Sequence, residues 1–271
     1  MSNEMDIETE EYVGENRAWS ALKNVFVSAA NLVVFVVRCV VEMFLPPYEW
    51  GEWSRQSYVI GCKTLPLVGI TGFIMGLVLT IQSRPTLVQF GAESWLPAMV
   101  TISIVREIGP VVTALISSGK VGSGIGAELA SMKVTEQIDA MEVAGNNPFK
   151  YLVVTRVLAT TFMIPVLVIF SDVIALYGCY VGVNIKGDVN IRLFLSQVVE
   201  RLDYSDLFPA FIKTFFFGFA IGIIGCFKGY YADRGTEGVG RAANTAVVIS
   251  SLLIFIIDMV AVQLTSLYFD K

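Results

Sequence analysis

The sequence predicts an all-α integral membrane protein with five transmembrane helices, an N-terminal interfacial helix and a short cytoplasmic helix between spans two and three. Composition is the first observation: of 271 residues, 55% are hydrophobic and only 16% are charged, whereas a soluble domain has roughly 25% charged residues. The second observation is segment length, because a hydrocarbon core about 30 Å thick requires about 20 predominantly apolar residues per helix. No apolar run alternates as barrel strands do, so each spanning segment must be a helix.

Five segments meet this length requirement and define a five-span domain over residues 48–271. We expect the spans at residues 58–83, 95–118, 151–182, 207–230 and 243–269. The loop 183–206 contains VNIRLFLSQVVERL, whose apolar spacing predicts a short helix on the outer surface. Acidic residues dominate residues 1–18, which we expect to form a solvated tail.

Residues 19–47 form an earlier apolar run that is harder to place, because polar residues interrupt it. Arg38 and Glu42 are spaced to pair on one helix face, and aromatic and valine residues form an apolar side. This pattern favours an interfacial amphipathic helix over a sixth span. Pro46 and Pro47 end the helix and turn the chain towards the first span.

Basic residues that flank the spans favour a cytoplasmic N-terminus and a C-terminus on the outer side. With the loop 119–150 inside, nine Lys and Arg residues lie on the cytoplasmic side and six on the other. This bias has the direction of the positive-inside rule.

Composition also excludes several classes of chemistry. The chain has no histidine, which rules out Ser-His-Asp triads, Cys-His pairs and most zinc hydrolase sites. The net charge of −5 gives no support to nucleic-acid binding. The four cysteines are far apart within apolar runs, so we expect them to be reduced packing residues and not metal ligands. They are Cys39, Cys62, Cys179 and Cys226.

Residues 119–148, GKVGSGIGAELASMKVTEQIDAMEVAGNNP, place a glycine-rich segment before an acidic one. Residues 122–127, GSGIGA, fit a dinucleotide-binding pattern, but that pattern requires a preceding strand, and here it follows a spanning helix. We therefore expect the glycines to end the span and to let helices approach closely.

The acidic segment that follows the glycines predicts an amphipathic cytoplasmic helix over about residues 131–145. Val134, Ile138 and Met141 fall on one face, and charged residues occupy the remaining surface. The helix is too short and too charged to span a membrane. Its acidic surface suits a soluble partner better than an anionic inner leaflet.

Charged residues inside the spans are costly unless they are paired or face water. Arg106 and Glu107 are adjacent in the second span, where they either face a polar cavity or bond a neighbouring helix. We expect Asp172 and Asp258 to hydrogen-bond between helices, and Lys213 to extend its ammonium group to the outer surface.

The block REIGPVVTALISSGKVGSGIGAELASMKVTEQIDAMEVAGNNPFKYLVVTRVLA resembles the signature region of the MlaE-type permeases, the membrane subunits of MCE-associated ABC lipid transporters. The segment FKGYYADRGTEGVGRAANTAVV before the last span agrees with that resemblance. It implies an inner-membrane homodimer, a cytoplasmic ATPase subunit that binds ATP and Mg²⁺, and an outer MCE-domain protein. It also implies phospholipid as cargo, and it leaves open a small regulatory subunit.

The resemblance also implies which residues carry function. The Arg106–Glu107 pair would line a lipid pocket near the dimer axis, together with Leu79 and Phe90. The helix at about 131–145 would be the coupling helix that fits into the ATPase. The residues implied for that contact are Glu128, Met132, Glu136, Gln137, Met141 and Glu142.

Two alternative functions would use the carboxylates that lie within the spans. An intramembrane lipid-modifying enzyme would use Glu107, Asp172 or Asp258 as acid or base, but the chain lacks histidine and closely spaced carboxylate pairs within spans. An ion-coupled secondary transporter fits poorly with five spans that show no inverted repeat.

Overall fold

A computed structural model describes residues 23, 26–185, 189–202 and 204–269 of the chain. The backbone divides into two units, Met1–Pro47 and Tyr48–Lys271. Every regular element in the described ranges is helical, which confirms the all-α prediction. The predicted acidic tail, residues 1–18, lies outside these ranges.

The first unit contains one described helix, α1 (Phe26–Phe44). Arg38 Nε donates to Glu42 Oε1 at 3.0 Å, which confirms the predicted pair on one helix face. The helix has 19 residues and a mean hydropathy of 1.9, so its length of about 28 Å matches a hydrocarbon core. Length and composition therefore make α1 a candidate sixth span, and its interfacial placement stays a prediction.

The second unit contains five long helices and two short ones. The long helices hold all five predicted spans, and the six long helices of the described chain, α1 included, are apolar enough to cross a membrane. A helix of 40 residues is about 60 Å long, so the longest extend well beyond a hydrocarbon core. In chain order they are α2 (Trp50–Gln89), α3 (Glu93–Val134), α4 (Gln137–Val143), α5 (Phe149–Asn184), α6 (Ile191–Val199), α7 (Tyr204–Tyr230) and α8 (Thr236–Phe269).

Helix α5 lies at the centre of the second unit, packed against α2 on one side and α7 on the other. It contributes to two buried apolar clusters. One joins α5 to α3 and α6 and consists of Leu96, Val100, Ile104, Ala175, Cys179, Val183, Phe194 and Val198. The other joins α5 to α3, α7 and α8 and consists of Ala114, Ile164, Leu167, Val168, Phe217, Ile221 and Ile254.

All four cysteines are free thiols. Cys39, Cys179 and Cys226 are buried, which confirms the prediction that they pack in apolar surroundings. The prediction was wrong for Cys62, which is exposed, because its position on α2 faces away from the packed side of that helix.

The glycine-rich segment does not end a helix. Residues 119–126 lie within α3, which continues to Val134 through a π-helical turn at Ser118–Gly122. The expectation that the glycines end the helix was therefore wrong. The backbone freedom of the glycines does not end the helix, because this part of α3 packs against both α7 and α8.

Close packing by small residues, in contrast, is confirmed. A Cβ atom added at Gly229 of α7 would lie 2.8 Å from the carbonyl oxygen of Gly126 and 2.7 Å from Leu129 Cβ. Glycine at this position therefore lets α7 and α3 approach to backbone contact, as in other membrane bundles. Gly124, on the same stretch of α3, faces open space.

The predicted coupling helix over 131–145 is divided between two elements. Helix α3 ends at Val134, and Thr135 Oγ1 caps it by donating to the Ser131 carbonyl at 2.8 Å. Glu136 then adopts a left-handed backbone with φ of 59°, which turns the chain before α4 begins at Gln137. Helix α4 is followed by Gly145, whose φ of 80° suits a glycine C-cap.

Helix α6 confirms the short helix predicted within 183–206, and its place on the outer surface stays a prediction. Asn190 caps it, since its Oδ1 accepts a hydrogen bond from the Arg192 backbone N–H at 3.1 Å. Phe194 and Val198 point into the apolar cluster with α3 and α5. Residues 186–188 of the same loop lie outside the described ranges.

We predict that Gly229→Ala destabilises the protein by about 1–3 kcal/mol, because the added methyl group overpacks the α3–α7 contact. The matched control is Gly124→Ala, which meets no neighbour and should gain about 0.5–1 kcal/mol from helix propensity. Denaturant unfolding of both purified variants in detergent measures the difference. Equal stability of the two variants would contradict the proposed close contact.

Candidate functional site

Three charged side chains from three long helices meet inside the second unit. Lys213 Nζ of α7 donates to Glu107 Oε2 of α3 at 2.6 Å and to Asp258 Oδ1 of α8 at 2.9 Å. We call Glu107, Lys213 and Asp258 the charge cluster. The Lys213 side chain is only 4% exposed, so the two carboxylates compensate an ammonium group that is withdrawn from solvent.

The sequence-based interpretation of Lys213 was wrong. We expected its ammonium group to reach the outer surface, but the two carboxylates hold it between the helices. Asp258 forms an interhelical bond as predicted, with Lys213 as its partner. The signal was available in the sequence as three charged residues within predicted spans, although spacing along the chain does not show that they meet.

Arg106 and Glu107 lie in a π-helical turn of α3, Ile104–Ile108. Such turns inside helices are frequent at functional sites because they shift side chains out of the regular helical register. Both residues line a narrow crevice with Lys213. The predicted pair therefore borders the charge cluster, and the four formal charges of Arg106 and the cluster sum to zero.

An apolar cleft of about 510 Å³ adjoins this crevice between α7 and α8. Lys213 contributes to both spaces, as do Pro209, Ala261 and Thr265. The remaining lining is apolar and consists of Phe208, Ile212, Phe216, Ile256, Ile257, Val260 and Leu264. The arrangement places ionic groups at one wall of a space that suits hydrocarbon chains.

The other two residues implied for lipid contact lie elsewhere in the second unit. Leu79 of α2 packs against the apolar cluster of α3, α5 and α6. Phe90 follows the end of α2 and is 80% exposed. Neither residue lines the cleft or the crevice, and their contact with lipid stays a prediction.

Asp172 of α5 is separate from the charge cluster. Its Oδ1 is buried and has no hydrogen-bond partner among the described residues. A Cβ atom at Gly109 of α3 would collide with this carboxylate, so glycine leaves room for it there. The interhelical hydrogen bond predicted for Asp172 is not formed by this oxygen. Glu107 and Asp258 share one cation, and among the described residues Asp172 forms no bond to it.

The residues implied for ATPase coupling form a surface around α4. Ile138 is 1% exposed and anchors α4 to the rest of the second unit. Lys133 Nζ and Asp139 Oδ1 bridge the break between α3 and α4 at 2.8 Å. Glu136, Gln137 and Glu142 are exposed, and Met132 and Met141 are partly exposed.

Glu128 is the exception in this set, because its carboxylate already has a partner. Arg156 Nη2 of α5 donates to Glu128 Oε1 at 2.9 Å. Arg156 is one of the nine basic residues that the sequence analysis counted as flanking the spans on the cytoplasmic side, although its side chain is only 1% exposed. Its position inside the predicted span 151–182 was the signal that could have identified it as a buried charge.

Comparisons with known proteins agree with this architecture. The family described as Permease MlaE matches residues 53–264. A probable ABC transporter permease protein of Rickettsia felis is 39% identical over 237 residues, covering 88% of this chain and 92% of the relative. The intermembrane phospholipid transport system permease protein MlaE of Haemophilus influenzae is 35% identical over 208 residues, covering 76% of this chain and 79% of the relative.

The chain is therefore an integral multi-pass membrane protein and the permease subunit of an ABC transporter. It belongs to the MlaE permease family. A permease of this class lacks ATPase activity and works with a separate ATPase chain.

We predict that Lys213→Met lowers the free energy of unfolding by about 1–3 kcal/mol, because it leaves two partly buried carboxylates without their cation. The matched control is Arg241→Met, which removes an exposed ion pair with Glu237 and should cost below about 1 kcal/mol. Both values come from denaturant unfolding in detergent.

A neutral triple variant separates lost charge compensation from lost packing. Lys213→Met combined with Glu107→Gln and Asp258→Asn should recover most of the stability, because none of the three substituted positions then carries a charge that lacks its partner. A single Lys213→Met variant as stable as Arg241→Met would show that the charge cluster contributes no more than a surface ion pair.

Proposed function

We propose that this permease moves phospholipid between the inner and outer membranes, driven by an ATPase subunit that binds ATP and Mg²⁺. The observation that carries the proposal is the charge cluster, which borders a cleft lined mainly by apolar residues. A phospholipid combines an ionic headgroup with hydrocarbon chains. The charge cluster suits the headgroup, and the apolar cleft suits the chains. The name of the Haemophilus influenzae relative supports the same cargo.

Arg106 is the residue that we assign to the headgroup phosphate. A guanidinium group can donate two parallel hydrogen bonds to phosphate oxygens, and such charged bonds are the strong ones. Glu107 positions the neighbouring cation through its 2.6 Å bond to Lys213. Lys213 lines both the cleft and the crevice, so a headgroup phosphate at the cleft also meets a second cation.

Transport requires two conformations with different affinities for lipid, because a ligand shifts an equilibrium only by its differential affinity. The ATPase subunit shifts the equilibrium between the two conformations. We assign the contact with the ATPase to α4. Exposed carboxylates of Glu136 and Glu142 surround the buried anchor Ile138. A short helix held at one face and polar at the other suits a groove on a soluble partner.

The assembly in this proposal contains two copies of the permease, two ATPase subunits and an outer MCE-domain protein. Each permease chain in this proposal has its N-terminus in the cytoplasm and its C-terminus on the outer side, in agreement with the distribution of flanking basic residues. The resemblance to the MlaE-type permeases supports these partners.

We predict that Glu142→Lys releases the ATPase subunit and leaves the permease folded. Reversing an exposed charge in a complementary contact creates like-charge repulsion, so co-purified ATPase should fall by about tenfold or more. Glu237→Lys is the matched control, because Glu237 is also an exposed glutamate and lies in the first turn of α8. Affinity purification from cells that express both chains measures the ratio, and undiminished ATPase with Glu142→Lys would contradict the role of α4.

We predict that Arg106→Ala weakens phospholipid binding without loss of the assembled complex. Losing charged hydrogen bonds to a phosphate should lower the apparent affinity by about tenfold or more. Titration of the purified complex with a fluorescent phospholipid measures this effect, and Arg192→Ala, at an exposed position on α6, is the control. Unchanged binding in both Arg106→Ala and Glu107→Ala would show that the pair has a structural role only.

A further inference from the structure

A second group of polar side chains lies where α3 ends and α5 begins. Glu52 of α2 is buried and accepts hydrogen bonds from Arg55 Nη2 and Gln56 Nε2, each at 2.7 Å. Tyr151 of α5 donates to the same carboxylate at 3.3 Å. Arg156 follows Tyr151 on α5 and bonds Glu128 of α3. The first turns of α5 are thus bonded to α2 through one carboxylate and to α3 through another.

Arg156 is the most deeply buried cation of this group. Its side chain is 1% exposed, and its Nη1 donates to the Leu152 carbonyl of its own helix at 2.9 Å. Its Nε has no hydrogen-bond partner within the described ranges. Glu128 is the one carboxylate in these ranges that forms an ion pair with it, so burial of the guanidinium group depends on that contact.

The pair has a particular position relative to α4. Glu128 lies in the last turns of α3, which ends at Val134, and Arg156 lies near the start of α5 at Phe149. Helix α4 lies between these two helices in the chain and connects to each by a short segment. Any displacement of α4 therefore acts first on the two helices that Arg156 and Glu128 join.

We propose that Arg156 and Glu128 are a positioning pair that holds α3 and α5 together, so that displacement of α4 reaches the membrane-spanning parts of both helices. This inference rests on the proposed docking of an ATPase at α4. It assigns Glu128 to Arg156 in place of the direct ATPase contact that the family resemblance implied. A displacement passes through rigid elements with defined contacts, and a loosened junction lets α4 move without shifting Glu107, the member of the charge cluster on α3.

The test compares lipid transferred with ATP hydrolysed in the purified complex of permease and ATPase. The complex is reconstituted in vesicles of phosphatidylethanolamine and phosphatidylglycerol, with fluorescent phosphatidylethanolamine as the transported probe. The variants are Glu128→Gln, Arg156→Lys and the charge exchange Glu128→Arg with Arg156→Glu. The control is Glu237→Gln, which weakens an exposed pair with Arg241.

For Glu128→Gln and Arg156→Lys we expect unchanged ATPase co-purification and continued ATP hydrolysis. Lipid transferred per ATP should fall about tenfold, the size of a typical coupling between two sites. The charge exchange should restore at least part of this ratio, and Glu237→Gln should leave it unchanged.

Three results would overturn the inference. They are an unchanged ratio in both single variants, release of the ATPase by Glu128→Gln, and loss of folded permease in Glu128→Gln without rescue by the charge exchange. The second result would restore Glu128 as a direct ATPase contact, and the third would give the pair a purely structural role. If the unmodified permease binds no ATPase or transfers no lipid, the proposed function fails, independently of this pair.

Discussion

Hydrocarbon offers no hydrogen-bond partner to a polar group, and most of this structure depends on that constraint. The backbone satisfies it by forming long helices, the longest of them 40 and 42 residues. Side chains satisfy it by pairing: Lys213 bonds two carboxylates from neighbouring helices. Small residues such as Gly229 permit the close helix contacts that stabilise a bundle when the surrounding lipid is itself apolar.

Helix α3 connects the two polar regions on which the functional proposals rest. Glu107 belongs to the charge cluster, and Glu128 bonds the buried Arg156 near the end of the same helix. These residues are separated by about 30 Å along a continuous helix. A single rigid element thus runs from the candidate lipid site to the segment next to α4, which provides a physical route between partner binding and cargo binding.

Local patterns predicted the candidate site only in part. Arg106 and Glu107 were identified because charges within an apolar span require compensation or water. Their surroundings were not predictable in the same way, since Lys213 and Asp258 are distant in the chain and reach Glu107 only after α7 and α8 pack. Arg156 was misinterpreted for a related reason: in the sequence, a basic residue near a span end looks the same whether it faces solvent or a carboxylate of another helix.

The sequence by itself determined that the chain is helical and membrane-embedded, and it located five apolar segments, because hydropathy and length are local properties. Tertiary structure decided that α3 continues through its glycines to Val134, because packing on α7 and α8 outweighs the backbone freedom of glycine. It also decided that Lys213 is buried and that Glu128 pairs with Arg156. Charge compensation depends on distances between helices, and those distances exist only in the folded protein.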